Sequence, residues 1–140
     1  MINIFFHIIS HDIWFYISHI FLHNPKIYFI HKVHHKKLYN QLTYKDATEG
    51  TLIENIIEPL GIFIPCFLIT FTFRDLFISF IIISIRNLLR HDDRFSFLIG
   101  NHHLLHHKYP KYNFGEYWID KIFGTLYPHK SEYIYGKIYT

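Results

Sequence analysis

Only one cysteine, Cys66, occurs in the 140 residues, which excludes an intramolecular disulfide framework and any zinc site built from several thiolates. Such a chain suits a reducing compartment. Charge is sparse as well: Asp, Glu, Lys and Arg make up 18% of the residues and the formal net charge is +3. That is too little for an electrostatic nucleic-acid footprint, and the aromatic residues sit in apolar runs rather than among basic ones, so nucleic acid is not an expected partner. No basic leader or small-residue cleavage site frames the first segment, which therefore does not read as a signal peptide. There is no internal repeat beyond one histidine pattern and no low-complexity tail. What remains is 50% hydrophobic and 20% aromatic, enough to bury a core, and of a length for one domain over 1–140.

Two apolar blocks organise the chain. The first, about 2–22, is interrupted only by His7, His11, Asp12 and His19 among strongly polar side chains after Asn3. At about 1.5 Å per residue it has the reach of a bilayer of about 30 Å, so it reads as a membrane helix or a deeply buried core helix. Either way its polar residues must face protein. The second block, about 60–89, is broken by Arg74-Asp75, which places the tip of a helical hairpin there. Each arm is about 14 residues, roughly 21 Å, short of a full span without its flanks. Of the 14 Lys and Arg residues, 13 lie in the stretches Lys26 to Lys45 and Arg86 to Lys137, and only Arg74 lies at the expected tip. Under the positive-inside rule the segments 23–50 and 90–140 are then cytosolic. The competing expectation is a globular protein with two hydrophobic core helices. In the final third, Asn113-Phe114-Gly115 has turn chemistry, Glu116 to Phe123 reads as a short helix, and Gly124 stands where a helix ends.

Histidine is the outlying residue type, 13 in all. The clusters are His19-Ile-Phe-Leu-His23, His31-Lys-Val-His34-His35 and His103-Leu-Leu-His106-His107. Positions i, i+3 and i+4 share one helix face, with Cβ atoms about 5–6 Å apart, so imidazoles at this spacing converge. Left without a metal, such neighbours repel when protonated and lose hydration when buried; a divalent ion satisfies their nitrogens together. Eight imidazoles are too many for one ion and supply four to each of two. Imidazole suits Fe, Cu, Ni and Zn alike, so ligand type does not select the metal. His91, just past the second apolar block, is a ninth candidate. His7, His11, His102 and His129 read as surface or satisfied core residues. Asp12, Tyr16, His19 and His23 fall at offsets 0, 4, 7 and 11, a single stripe on which Asp12 and Tyr16 are expected to stand behind the ligands, Asp12 orienting a ligand imidazole.

These motifs resemble the fatty acid hydroxylase and sterol desaturase superfamily of integral-membrane di-iron enzymes. The resemblance runs from Asp12 through the three histidine clusters to Asn113-Phe-Gly115 and Asp120-Lys-Ile-Phe123-Gly124-Thr125, about residues 12–125. It implies an all-α integral-membrane protein with a cytosolic histidine-rich di-metal cap, in the endoplasmic reticulum or a similar membrane. It also implies two irons held by His19, His23, His31, His34, His35, His103, His106 and His107, with His91 where many members have a further histidine, and no catalytic residue beyond these ligands. Family members use O2 to hydroxylate or desaturate sterols or fatty acyl chains, with electrons from NAD(P)H through cytochrome b5 or a reductase.

The chain departs from the family pattern in places. Ile20 replaces a common arginine, Thr51-Leu-Ile-Glu54 replaces a His-Pro-x-Glu, and His91-Asp92-Asp93 replaces a His-x-Gly. Members are usually longer, with a membrane hairpin before the first cluster, so self-association or a partner is expected to complete the bilayer-embedded wall. Two alternatives stand beside the lipid oxygenase: a shortened, non-catalytic member acting as a metal-binding or partner subunit of a membrane lipid enzyme, and a zinc-dependent hydrolase or metal-handling protein.

Overall fold

The first apolar block forms one helix, α1 (Ile2–Leu22), whose amphipathicity is inverted. Its buried stripe is His7, His11, Asp12, Phe15, Ser18, His19 and Leu22, whereas Phe5, Ile13, Ile17 and Phe21 on the other side are exposed. A helix turns its polar side inward only when partners wait there. They come from the next elements, in a computed structural model that describes residues 2–138 and contains no strand among them.

Helix α2 (Leu52–Ile57) begins at Thr51, whose hydroxyl accepts from Glu54 N while the Glu54 carboxylate accepts from Thr51 N, a reciprocal cap. It continues into a 3-10 stretch, Glu58–Phe67, that lies along α1. Pro65 has no N–H to give, so in this 3-10 stretch the Ile62 carbonyl three residues back is left open. His7 Nδ1 of α1 donates to it (2.7 Å), and Ser10 Oγ donates to the neighbouring Gly61 O (2.9 Å). One turn on, Trp14 Nε1 donates to Ile57 O (2.8 Å). The approach is close enough that a Cβ on Gly61 would fall 2.3 Å from that of Trp14.

The chain reverses over 68–72, not at Arg74-Asp75 as the sequence suggested. Thr72 caps helix α3 (Phe73–Arg90) by accepting from Asp75 N (3.2 Å), which puts Arg74 and Asp75 in its first turn, where an acid is favoured. Returning along α1, α3 delivers Arg86 to Asp12: Nη1 donates to Oδ2 at 3.0 Å and Nη2 pairs with Oδ1. Arg86 also lies 3.4 Å from Glu116, which Arg90 engages directly. No helix among the described residues is long and apolar enough to cross a membrane. The physical reason lies in the polar stripe of α1 and in Arg86, Asn87 and Arg90 near the end of α3.

Three short helices close the histidine-rich end: α4 (Ser96–Ile99), α5 (His102–Lys108) and α6 (Tyr117–Phe123). Helix α6 stops at Gly124 in the left-handed conformation (φ 71°), as the sequence suggested. The tail then runs back over α4, with Lys137 N donating to Phe97 O (3.0 Å) and Ile138 N to Leu98 O (2.9 Å).

Candidate metal centre

All nine candidate histidines come together, in two abutting groups. His19, His23, His31, His35 and His106 form one, His34, His91, His103 and His107 the other, and within each the nearest ring nitrogens all lie within 4.8 Å of one another. The rings of His35 and His107 touch across the boundary, with centroids 4.6 Å apart. His19 lies in the last turn of α1, and His23 follows one turn later, just past its end. His103, His106 and His107 share one side of α5, and His91 is the C-terminal cap residue of α3. The middle cluster corrects an expectation: His31, His34 and His35 sit on turns and short 3-10 segments, Tyr28–Ile30 and His34–Lys36, rather than on an α-helix. The tighter winding still turns the three rings to one side.

Protonation follows from the outer nitrogens. His19 Nδ1 donates to Phe114 O (2.6 Å), His106 Nδ1 to Tyr112 O (2.6 Å), His91 Nδ1 to Asn87 O (2.8 Å) and His34 Nδ1 to Glu49 O (3.0 Å). A carbonyl oxygen only accepts, so in a neutral ring the proton is on Nδ1 and the lone pair on Nε2. His31 Nδ1 likewise meets the Glu54 carboxylate at 2.6 Å. The inner nitrogens then face one another. Nε2 of His31 lies 2.9 Å from that of His19 and 3.0 Å from that of His35; His106 lies 3.1 Å from His23 and from His35. In the other group His91 lies 3.1 Å from both His34 and His103.

For His19 with His31, and for His91 with His34, both protons are committed outward, so these approaches set lone pair against lone pair. A shared cation turns that repulsion into coordination. With metal–nitrogen bonds of about 2.1 Å, nitrogens 2.9–3.1 Å apart subtend roughly a right angle at one ion. The buried ring nitrogens of His107 have no protein partner, which fits the same donor set. The residues therefore fit divalent metal ions, with carbonyl and carboxylate partners orienting the imidazoles from behind.

Burial keeps the rings neutral. It pushes His23 down to about 4 and His35 to about 3, with neighbouring imidazoles adding to the effect, and holds His31, His91, His103, His106 and His107 well below the ordinary value of 6.5. Groups with depressed values stabilise the fold above their unfolded pKa and lose that contribution as the pH falls towards the folded one. The metal-free protein is therefore expected to keep a level melting temperature above about pH 8 and to lose stability steadily from pH 6.5 towards 4. Burial raises Glu54 to about 7 and Glu58 to about 8, which works in the opposite sense between pH 4.5 and those values. They are two carboxyls against several imidazoles. Thermal unfolding in detergent from pH 8 to pH 4 checks this, and a profile flat to pH 4 contradicts it.

Two sequence expectations need correction. Asp12 does not orient a ligand imidazole: it holds Arg86, and its nearest histidine is His11 at 3.3 Å. Tyr16 stacks on Phe123 (5.2 Å) and its hydroxyl meets Thr125 Oγ1 at 3.2 Å. Both share the stripe with His19, but α1 has other neighbours at their level. His7, His11 and His102 are buried core residues, each with one ring nitrogen bonded, His102 through Asp120 (2.9 Å), but His7 Nε2 and His102 Nδ1 have no protein partner, and His129 lies against Tyr127. Glu54 is the functional neighbour that histidine counting passes over. Its signal is the capping pattern Thr51-Leu-Ile-Glu54, which fixes the carboxylate where His31 needs it.

A cavity of about 210 Å³ lies between α1, the Glu58–Phe67 stretch and α3. Phe15, Ile62, Phe80 and Ile83 give it apolar walls, with Asn55, Glu58 and Asn87 among its polar lining. Phe15 separates it from the histidines, its ring 4.9 Å from His19 and 6.4 Å from His103, while the Asn87 carbonyl holds His91.

A family model described as fatty acid hydroxylase matches residues 4–125, a stretch that contains all nine histidines, Glu54 and Asp120. No curated protein and no solved structure matches the chain.

Proposed function

The chain belongs to the fatty acid hydroxylase family, and from that premise we propose that it is an O2-dependent lipid oxidoreductase with a pair of iron ions held by its nine clustered histidines. The observation that carries this reading is the convergence of two imidazole groups, their lone pairs turned inward, beside an apolar cavity. His19, His23, His31, His35 and His106 hold one ion; His34, His91, His103 and His107 hold the other. Bound iron supplies the reduction of O2 and the oxidising power to attack an unactivated C–H bond.

The chain's own residues position the two reactants. The carbonyls of Phe114, Tyr112, Asn87 and Glu49 and the Glu54 carboxylate keep the ring protons pointing outward, so that the inner nitrogens stay available at neutral pH. The cavity walls exclude water from an acyl or sterol segment and bring it against Phe15, at the edge of the histidines. Hydroxylation places one oxygen atom of O2 in the product and releases the other as water, at a cost of two electrons and two protons. Desaturation uses the same electrons and protons and releases two waters. NAD(P)H, through cytochrome b5 or a reductase, is the electron source in this proposal.

The exposed apolar faces of α1 and α3, including Phe5, Ile17, Phe21, Phe77, Phe80 and Ile85, favour contact with a bilayer, since monomers in water rarely expose so much contiguous apolar surface. In this reading they lie in lipid, alone or with a second copy, and the basic histidine end faces the cytosol.

The test is a reaction of iron-loaded, detergent-purified protein with fatty acyl and sterol lipids, O2 and a reductase system. Products heavier by one oxygen or lighter by two hydrogens are expected, and they disappear in His34→Ala. No product from fully metallated protein moves the reading to a non-catalytic partner subunit. Zinc retained under iron-replete expression rejects the oxygenase.

A further inference from the structure

The two histidine groups are held from behind by different parts of the chain. In the five-histidine group, His19 and His106 donate to the carbonyls of Phe114 and Tyr112, both within the three-residue segment 112–114. In the four-histidine group, His91 donates to Asn87 O on α3 and His34 to Glu49 O in the loop before α2. Segment 112–114 has no regular secondary structure, and Asn113 has a positive φ of 58°. Something else must hold it.

Asn113 is tied to Thr125, His102, Tyr127 and Tyr133, and the peptide on its C-terminal side is held by Asp120, which is fully buried in the first turn of α6. Four donors converge on its two oxygens: Phe114 N (2.9 Å) and Thr125 Oγ1 (2.6 Å) on Oδ1, Gly115 N (2.8 Å) and His102 Nε2 (2.9 Å) on Oδ2. Two are the backbone N–H groups that flank the Phe114 carbonyl, so the carboxylate fixes the direction in which that carbonyl points. No comparable link from Asp120 reaches Asn87 or Glu49.

We infer that Asp120 is a positioning residue for one metal position only: through segment 112–114 it sets the His19 and His106 rings of the five-histidine group, leaving the four-histidine group to its own supports. This rests on the metal-binding reading above. Asp120→Asn is a sharp probe because each carboxylate oxygen accepts from one loop N–H. Whichever way the amide is turned, its NH2 opposes either Phe114 N or Gly115 N. Loss of an orienting partner costs about 10- to 100-fold in metal affinity.

The experiment is anaerobic titration of the full chain in detergent with cobalt(II) alone, read by its visible absorption, with helicity followed by circular dichroism. In a His34→Ala/His107→Ala background, which takes two ligands from the four-histidine group, adding Asp120→Asn is expected to weaken the remaining site about 10- to 100-fold. In a His35→Ala/His106→Ala background, which takes two ligands from the five-histidine group, the same change is expected to leave the remaining site within about twofold. Equal losses in both backgrounds, or none in either, overturn the inference while two ions on the parent chain keep the metal reading intact. A parent chain that takes up no cobalt brings both down. Should Asp120→Asn fail to fold, Thr125→Val removes one of the four donors and spares both loop N–H bonds. It is expected to cause a smaller loss with the same selectivity, and an equal loss at both sites overturns the proposal.

Discussion

Changing His34, His35, His106 and His107 together to alanine is expected to abolish metal binding. Anaerobically prepared parent protein should carry close to two irons per chain and the variant none. The substitutions take two ligands from each group: His35 and His106 from one, His34 and His107 from the other. What remains is three imidazoles around one position and two around the other, too few to repay their desolvation. His31 also loses its 3.0 Å neighbour His35, and His23 loses His106 at 3.1 Å. Elemental analysis of both proteins, with circular dichroism as a control for folding, gives the answer. Full iron occupancy in a folded variant would remove the basis for assigning the clusters to metal.

The largest stability effect is expected at Arg86. Asp12 is 1% exposed and accepts from both Nη atoms of Arg86. Arg86→Met strands that carboxylate against His11 alone, and removing one partner of a buried pair costs about 3–5 kcal/mol. Because the loss comes from the stranded charge more than from the missing attraction, adding Asp12→Asn should recover most of it. Unfolding of the two variants and the parent in detergent checks both halves of this prediction. A double variant as unstable as Arg86→Met would mean that packing, not charge, dominates there.

The sequence was most readable where chemistry and periodicity coincide. Two His-x-x-His-His clusters and the His19/His23 pair already contain the convergence of eight rings, because an i, i+3, i+4 pattern turns side chains to one side of an α-helix. The pattern survived in the 28–36 region even though the backbone there is 3-10 and turn. The α1 boundaries were equally clear. The hairpin tip was misplaced because Arg74-Asp75 looks like a polar break, whereas Thr72 and Asp75 act together as a helix start.

Asp12 and Tyr16 show another boundary. Sharing a stripe with His19 fixes the direction a side chain takes, but not which neighbour arrives there, and Arg86 is 74 positions away. The carbonyls that set the imidazole tautomers carry no side-chain signature at all. Any residue at 87, 112 or 114 offers the same oxygen.

The inverted helix α1 has a consequence for how the protein is made. Asp12 leaves the ribosome 74 residues before Arg86, and at about 5–20 residues per second this is an interval of roughly 4–15 s. Until residues 61 and 62 emerge, His7 and Ser10 lack the carbonyls that hold them, and until Arg86 emerges Asp12 has no guanidinium. Over that interval the polar stripe depends on partners other than those of the finished fold. Slowing translation between codons 22 and 86 would lengthen that dependence without altering a single contact of the finished fold.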